Sequence, residues 1–138
     1  SYMKSLSLFL LLFLVFFSHS AAQSDKATVY LIRSVGPDNY IPYYIYMDQK
    51  IVCSLRNGQY SKHQLEPGTH TFHAQYKGKV KSNPETDLSI DLEAGKIYYI
   101  AIEIKTKAFG KGSFHCEPIS EEEGQKRMEN FYFNQKCF

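Results

Sequence analysis

Tryptophan is absent from the 138 residues, cysteine occurs three times, and the formal net charge is only +2. So even a balance of charge is no nucleic-acid footprint. Heptads, low-complexity tracts and an interdomain linker are also missing. No glycine-rich loop follows a strand and opens a helix, which removes the phosphate cradle that nucleotide chemistry requires. Long apolar runs are limited to one, residues 6–17 (LSLFLLLFLVFF), whose single polar residue is Ser7. Spanning a bilayer needs about 20 such residues, and His19 and Gln23 close this run early.

The same run, behind Lys4 and ahead of Ser20-Ala21-Ala22, reads as a secretory signal peptide over residues 1–22 with cleavage after Ala22. No cysteine stands at the cleavage site, so a lipid anchor is not expected. The remainder, residues 23–138, is about 116 residues, enough for one domain with one core. The expected address is the periplasm, the cell envelope or the medium, with no stable membrane span after cleavage. Three cysteines in an exported chain allow one disulfide and one leftover thiol, or no bridge, and Cys53, Cys116 and Cys137 are all eligible partners.

What is abundant is tyrosine (11) and phenylalanine (10), a bias that suits pleated, half-buried strands. Strands are expected at 27–33, 43–47, 50–55, 60–65, 69–76, 86–92, 96–105 and 112–119. Turn chemistry separates them: Asp48-Gln49, Asn57-Gly58, Pro67-Gly68 and Glu93-Ala94-Gly95. In 69–76 alternation puts His70, Phe72, Ala74 and Tyr76 toward the core and Thr69, Thr71, His73 and Gln75 outward. Ser120 followed by Glu121-Glu122-Glu123 is a capping-box signature, and a helix over about 120–134 would lay Met128, Phe131 and Tyr132 on the sheet and leave Lys126, Arg127 and Glu129 wet. Gly124 costs such a helix about 1 kcal/mol relative to alanine, so it should depend on docking. The fold class expected is mainly β, an antiparallel β-sandwich of about seven strands with one C-terminal α-helix.

The order Tyr46-Met47-Asp48-Gln49-Lys50, Val52-Cys53, Leu55, Asn57-Gly58, Tyr60, then Leu65-Glu66-Pro67-Gly68-Thr69-His70-Thr71 and Leu92-Glu93-Ala94-Gly95-Lys96-Ile97-Tyr98-Tyr99, resembles the bacterial family called domain of unknown function 2846 and, more loosely, PEGA-type surface modules. The likeness runs from Ala27 to the tail. It implies a small exported, lipoprotein-like β-sandwich and no established activity. Where the family has Asp-Gly-Lys this chain has Asp48-Gln49-Lys50, and Cys53 stands where a small residue is usual.

Four histidines and a cysteine invite a metal reading: His63, His70, His73, His115 and Cys116. Strand geometry opposes it. His70 and His73 differ by an odd number and face oppositely. His63 and His73 would share a face only across adjacent strands, with no carboxylate or cysteine aligned beside them. His70 reads as a strand-head residue with its ring hydrogen-bonded, and His73 as solvated. Cys116 beside His115, or Cys53 with a distant histidine, is a poor nucleophile pair, since neighbours on a strand point apart. Cys53 reads as a small buried hydrophobe, and Glu121 to Glu123 as a helix start rather than paired carboxylates. No catalytic, cofactor-binding or metal residue is therefore assigned, and no cofactor or enzymatic activity is expected. Basic clusters at residues 77–81 and 105–111 read as solvated loops. The expected function is a non-catalytic exported module that binds a protein or glycan partner through a sheet face or edge, or is structural, with Tyr30, Tyr40, Tyr43, Tyr44, Tyr46, Tyr60, Tyr98 and Tyr99 supplying contact area and loops 34–41 and 77–85 supplying variable contacts. The competing reading is a small hydrolase or metal-binding protein using His63, His73, His115 or Cys116.

Overall fold

A computed structural model describes residues 25–36 and 40–137. The expected signal peptide and part of the 34–41 loop lie outside the described residues. Among the described residues, nine strands and one helix follow in order: β1 Ala27–Arg33, β2 Tyr43–Met47, β3 Lys50–Leu55, β4 Gln59–Leu65, β5 Gly68–Gln75, β6 Leu88–Leu92, β7 Ile97–Lys105, β8 Ser113–Ile119, α1 Glu121–Glu129 and β9 Tyr132–Phe133. They form a five-stranded sheet, β8-β7-β1-β4-β9, and a four-stranded sheet, β3-β2-β5-β6. Val29, Leu31, Ile100 and Ile102 of the first meet Ile45, Leu55, Phe72 and Leu92 of the second in one buried core, the arrangement of a sandwich.

The expected antiparallel pairing holds for most neighbouring strands but not for all. β1 pairs with β7 in parallel, and β4 with β9 likewise. Adjacent hairpins must be antiparallel, but β7 reaches β1 only after the chain has built the whole second sheet, and so long a connection permits either direction. The helix is also shorter than 120–134. Ser120 caps it, its Oγ accepting from the Glu123 amide at 3.2 Å, and Asn130 ends it. Beyond that the chain turns extended because β4 offers an open edge: the Tyr132 amide donates to the Gly58 carbonyl and the Asn134 amide to the Tyr60 carbonyl, both at 2.8 Å.

The helix face differs from the expected one as well. Gly124 is its buried residue, seated where a Cβ would come within 2.3 Å of the Tyr99 ring. Tyr132 is 78% exposed. Arg127, expected in solvent, reaches Glu103 at 3.0 Å and Ser34 Oγ at 2.7 Å. Burial lifts the Glu103 carboxyl, but hydrogen bonds from Arg127 and Ser34 outweigh it and hold the group below its ordinary range.

At the β2–β3 hairpin, Asp48 (φ 49°) and Gln49 (φ 67°) both occupy the left-handed region. Two such residues make a tight turn whose twist matches the flanking strands. Arg33 shows that β1 carries charge into the interior. It is fully buried, its Nη1 donates to the carbonyls of Ile41 (2.7 Å) and Leu55 (3.0 Å), and its guanidinium lies 3.5 Å from the Tyr43 ring centre.

Candidate functional site

The outer face of the four-stranded sheet holds a cleft of about 550 Å³. Thr71 and His73 of β5 and Ser89 of β6 form its floor, the hairpin residues Asp48 and Gln49 one end, and Ser82, Pro84 and Asp87 the opposite wall. β5 places Thr71 and His73 on the same outward face by their spacing of two. The β5–β6 connection then folds back over that face instead of standing away from it.

This loop explains why His73 is buried, only 7% exposed, where alternation predicts a solvated ring. Its Nδ1 lies 2.6 Å from Asp87 Oδ1 and its Nε2 2.8 Å from Gln75 Oε1. Gln75 has no freedom to flip: its Nε2 donates to the carbonyls of Tyr76, Gly78 and Lys79, and its Oε1 accepts from the Lys81 amide. Both ring nitrogens of His73 are therefore engaged by oxygen atoms of the protein itself. Asp87 is equally committed, with Oδ2 accepting from the Asn83 amide at 2.9 Å.

At the other end, Asp48 pins the hairpin to β5. Oδ1 accepts from the Thr71 amide at 2.9 Å and Oδ2 meets His70 Nδ1 at 2.7 Å, while His70 Nε2 donates to the Glu66 carbonyl. His70 thus sits at the strand head with its ring hydrogen-bonded, as expected. Between the two ends Thr71 and Ser89 join hydroxyls at 2.9 Å. The cleft is lined mainly by polar residues, several of them hydrogen-bonded to one another.

The remaining candidates do not gather there. His115 shares a hydrogen bond with Ser113 Oγ at 2.9 Å on β8. Cys116 is a free, buried cysteine whose thiol is pushed up to about 12, first by burial and then by the Asp87 charge. A thiol so far from ionising is a poor nucleophile. Asp87 is thus a common neighbour of His73 and Cys116, yet its effect on the sulfur opposes catalysis.

His63 is in the other sheet from His73, so the two do not share a face. It stands instead beside cysteines, contrary to the alignment expected from the sequence. Cys53 and Cys137 form a disulfide with Cα atoms 4.5 Å apart, and the His63 ligand atom and the two sulfurs lie within 4.8 Å of one another. Burial pushes the His63 ring below its ordinary value. No spacing rule pointed to this trio, because its members come from β3, β4 and the tail.

Of the tyrosines, Tyr43, Tyr46 and Tyr99 are buried. Tyr30 stacks on Tyr99 with ring centres 5.2 Å apart and planes 10° apart, and Tyr60 packs on Phe133 at 5.3 Å. Rings stacked on each other cover the outer face of the five-stranded sheet but spend their faces mutually. No helix among the described residues is long and apolar enough to cross a membrane.

Residues 23–113 match the family described as protein of unknown function (DUF2846). The chain belongs to that family. In this DUF2846 member the matched segment contains the whole cleft, from Asp48 to Ser89, and stops short of the tail to which the sequence resemblance extended. No curated protein matches the chain.

Proposed function

We propose that this DUF2846 protein is an exported, non-catalytic binding module that seats a neutral, polyhydroxylated ligand, a glycan, in the cleft between the Asp48-Gln49 hairpin and the loop ending at Asp87. The observation that carries the reading is the state of the cleft floor. His73 and Asp87 are saturated by hydrogen bonds within the protein, so the site offers fixed polar edges and no group poised for reaction. Its lining of two carboxylates, three hydroxyls and a primary amide pairs well with a ligand whose hydroxyls both donate and accept. The carboxylates disfavour an anion, and a volume of about 550 Å³ is of the size that holds one small ligand.

Export is supported by the Cys53–Cys137 disulfide, since such bonds persist in oxidising compartments. The test is a nuclear magnetic resonance titration with a panel of neutral oligosaccharides. Amides of Thr71, Asp87 and Ser89 should shift on binding, and Ser89→Tyr, at an exposed position in the cleft, should abolish the shifts with the melting temperature unchanged. A panel that shifts none of these amides, or that is cleaved during the titration, refutes the reading.

A further inference from the structure

We propose that Cys53, Cys137 and His63 form a reduction-gated site for a soft divalent cation of the zinc class, in which a metal ion replaces the disulfide as the clasp of the sandwich. The juxtaposition is specific. Cys53 points into the core from β3, an edge strand of the four-stranded sheet, and is fully buried. His63 lies on β4 of the opposite sheet, and Cys137 arrives on the tail that follows β9. All three ligand atoms fall within 4.8 Å of one another. Ser61 Oγ contacts His63 Nε2 at 2.9 Å and orients the ring, as outer partners of metal-binding histidines do.

The tail is held near the site independently of the sulfurs. Asn134 Nδ2 donates to the Ser54 carbonyl at 3.0 Å and the Asn134 amide to the Tyr60 carbonyl. Reduction therefore frees two thiols without releasing their surroundings. In the oxidised state each sulfur's pairing electron is spent on the other sulfur. A dithiol reductant exchanges with the bond, becoming a cyclic disulfide and leaving Cys53 and Cys137 as thiols. The cation then displaces one proton from each, and the two thiolates with the His63 nitrogen supply three ligands, water completing a tetrahedron. Thiolate and imidazole together select such an ion over magnesium or calcium.

The cleft proposed for glycan lies on the outer face of the four-stranded sheet and shares no residue with this trio, so either proposal can fail alone. The experiment adds Co²⁺ to the full folded chain after dithiol reduction and removal of the reductant, with Zn²⁺ as competitor. Thiolate-to-cobalt charge-transfer absorption should appear in the reduced wild type and in Cys116→Ser, disappear when Zn²⁺ displaces Co²⁺, and be absent from the oxidised protein. Cys137→Ser, at the tail, should abolish it. His63→Gln should weaken Co²⁺ binding at least about tenfold, no less than loss of an outer partner costs a metal site. A reduced chain that gives no such absorption overturns the proposal, as does unchanged affinity in His63→Gln or Cys137→Ser.

Discussion

Among single residues, the Asp48–His70 pair is the clearest electrostatic device. Burial alone would pull His70 down, but the hydrogen bond to Asp48, the Glu66 carbonyl and the Asp48 charge carry it above its ordinary 6.5. Burial likewise lifts Asp48, yet the Thr71 amide and His70 hold it below 3.8. A histidine raised in the folded state contributes fully below 6.5, and the contribution fades as pH rises through the raised value. The lowered carboxylate contributes above 3.8 and fades as pH falls. The hairpin clamp is therefore strongest between those two values. Asp48 is nearly half exposed, so solvent screening keeps the pair within about 1 kcal/mol. His70→Gln should lower the melting temperature more at about pH 5 than at about pH 8.5. An equal drop at both would mean that the clamp is not ionic. Residues of this kind are hard to read from a chain. His70 was legible because a turn signal precedes it, whereas His73 was not, because its partner Asp87 arrives from a loop that local alternation does not describe.

Elements were legible where local chemistry decides them. Capping marked the start of α1 and β-branched or aromatic runs marked β1, β2, β3 and β7, since these depend on neighbours in sequence. The end of α1 depends instead on a distant edge, that of β4, which captures Tyr132 and Phe133. Gly124 shows the same conflict between local and tertiary terms. Helix propensity alone says that Gly124→Ala gains about 1 kcal/mol. Packing says otherwise, for the new methyl would lie 2.3, 2.6 and 2.9 Å from Tyr99 Cδ1, Cγ and Cβ. Overpacking costs about 1–3 kcal/mol, and Tyr99 is itself stacked on Tyr30 and has little room to move. We expect Gly124→Ala to destabilise the protein by about 1–2 kcal/mol in a urea melt. In a Tyr99→Ala background the same change should be neutral or stabilising. A stabilised single variant would show that α1 rides more loosely on the sheet than its contacts imply.

For the molecule as a whole, the question is what joins the two sheets along the side where β3 and β4 run out. β3 is an edge of one sheet, and beyond β4 the other has only the two residues of β9. The Cys53–Cys137 bond crosses that side and closes a span of 84 residues. The pairing was one of several open from three cysteines, since only the topology brings the tail back past β4. Cross-linking so long a loop removes much of the unfolded chain's freedom, which places the stabilisation at about 2–4 kcal/mol. Asn134 and the β9 ladder retain the tail in the folded state once the bond is cut, so native contacts change little. Metal-free reduced protein should then melt in one cooperative transition at a markedly lower temperature, with the amide shifts of β1, β5 and β7 preserved below it. Cys137→Ser should reproduce that melting curve under oxidising conditions, and Cys116→Ser should not. A reduced protein that keeps its full melting temperature would place the closure of this side in the β9 ladder and the Asn134 contacts instead.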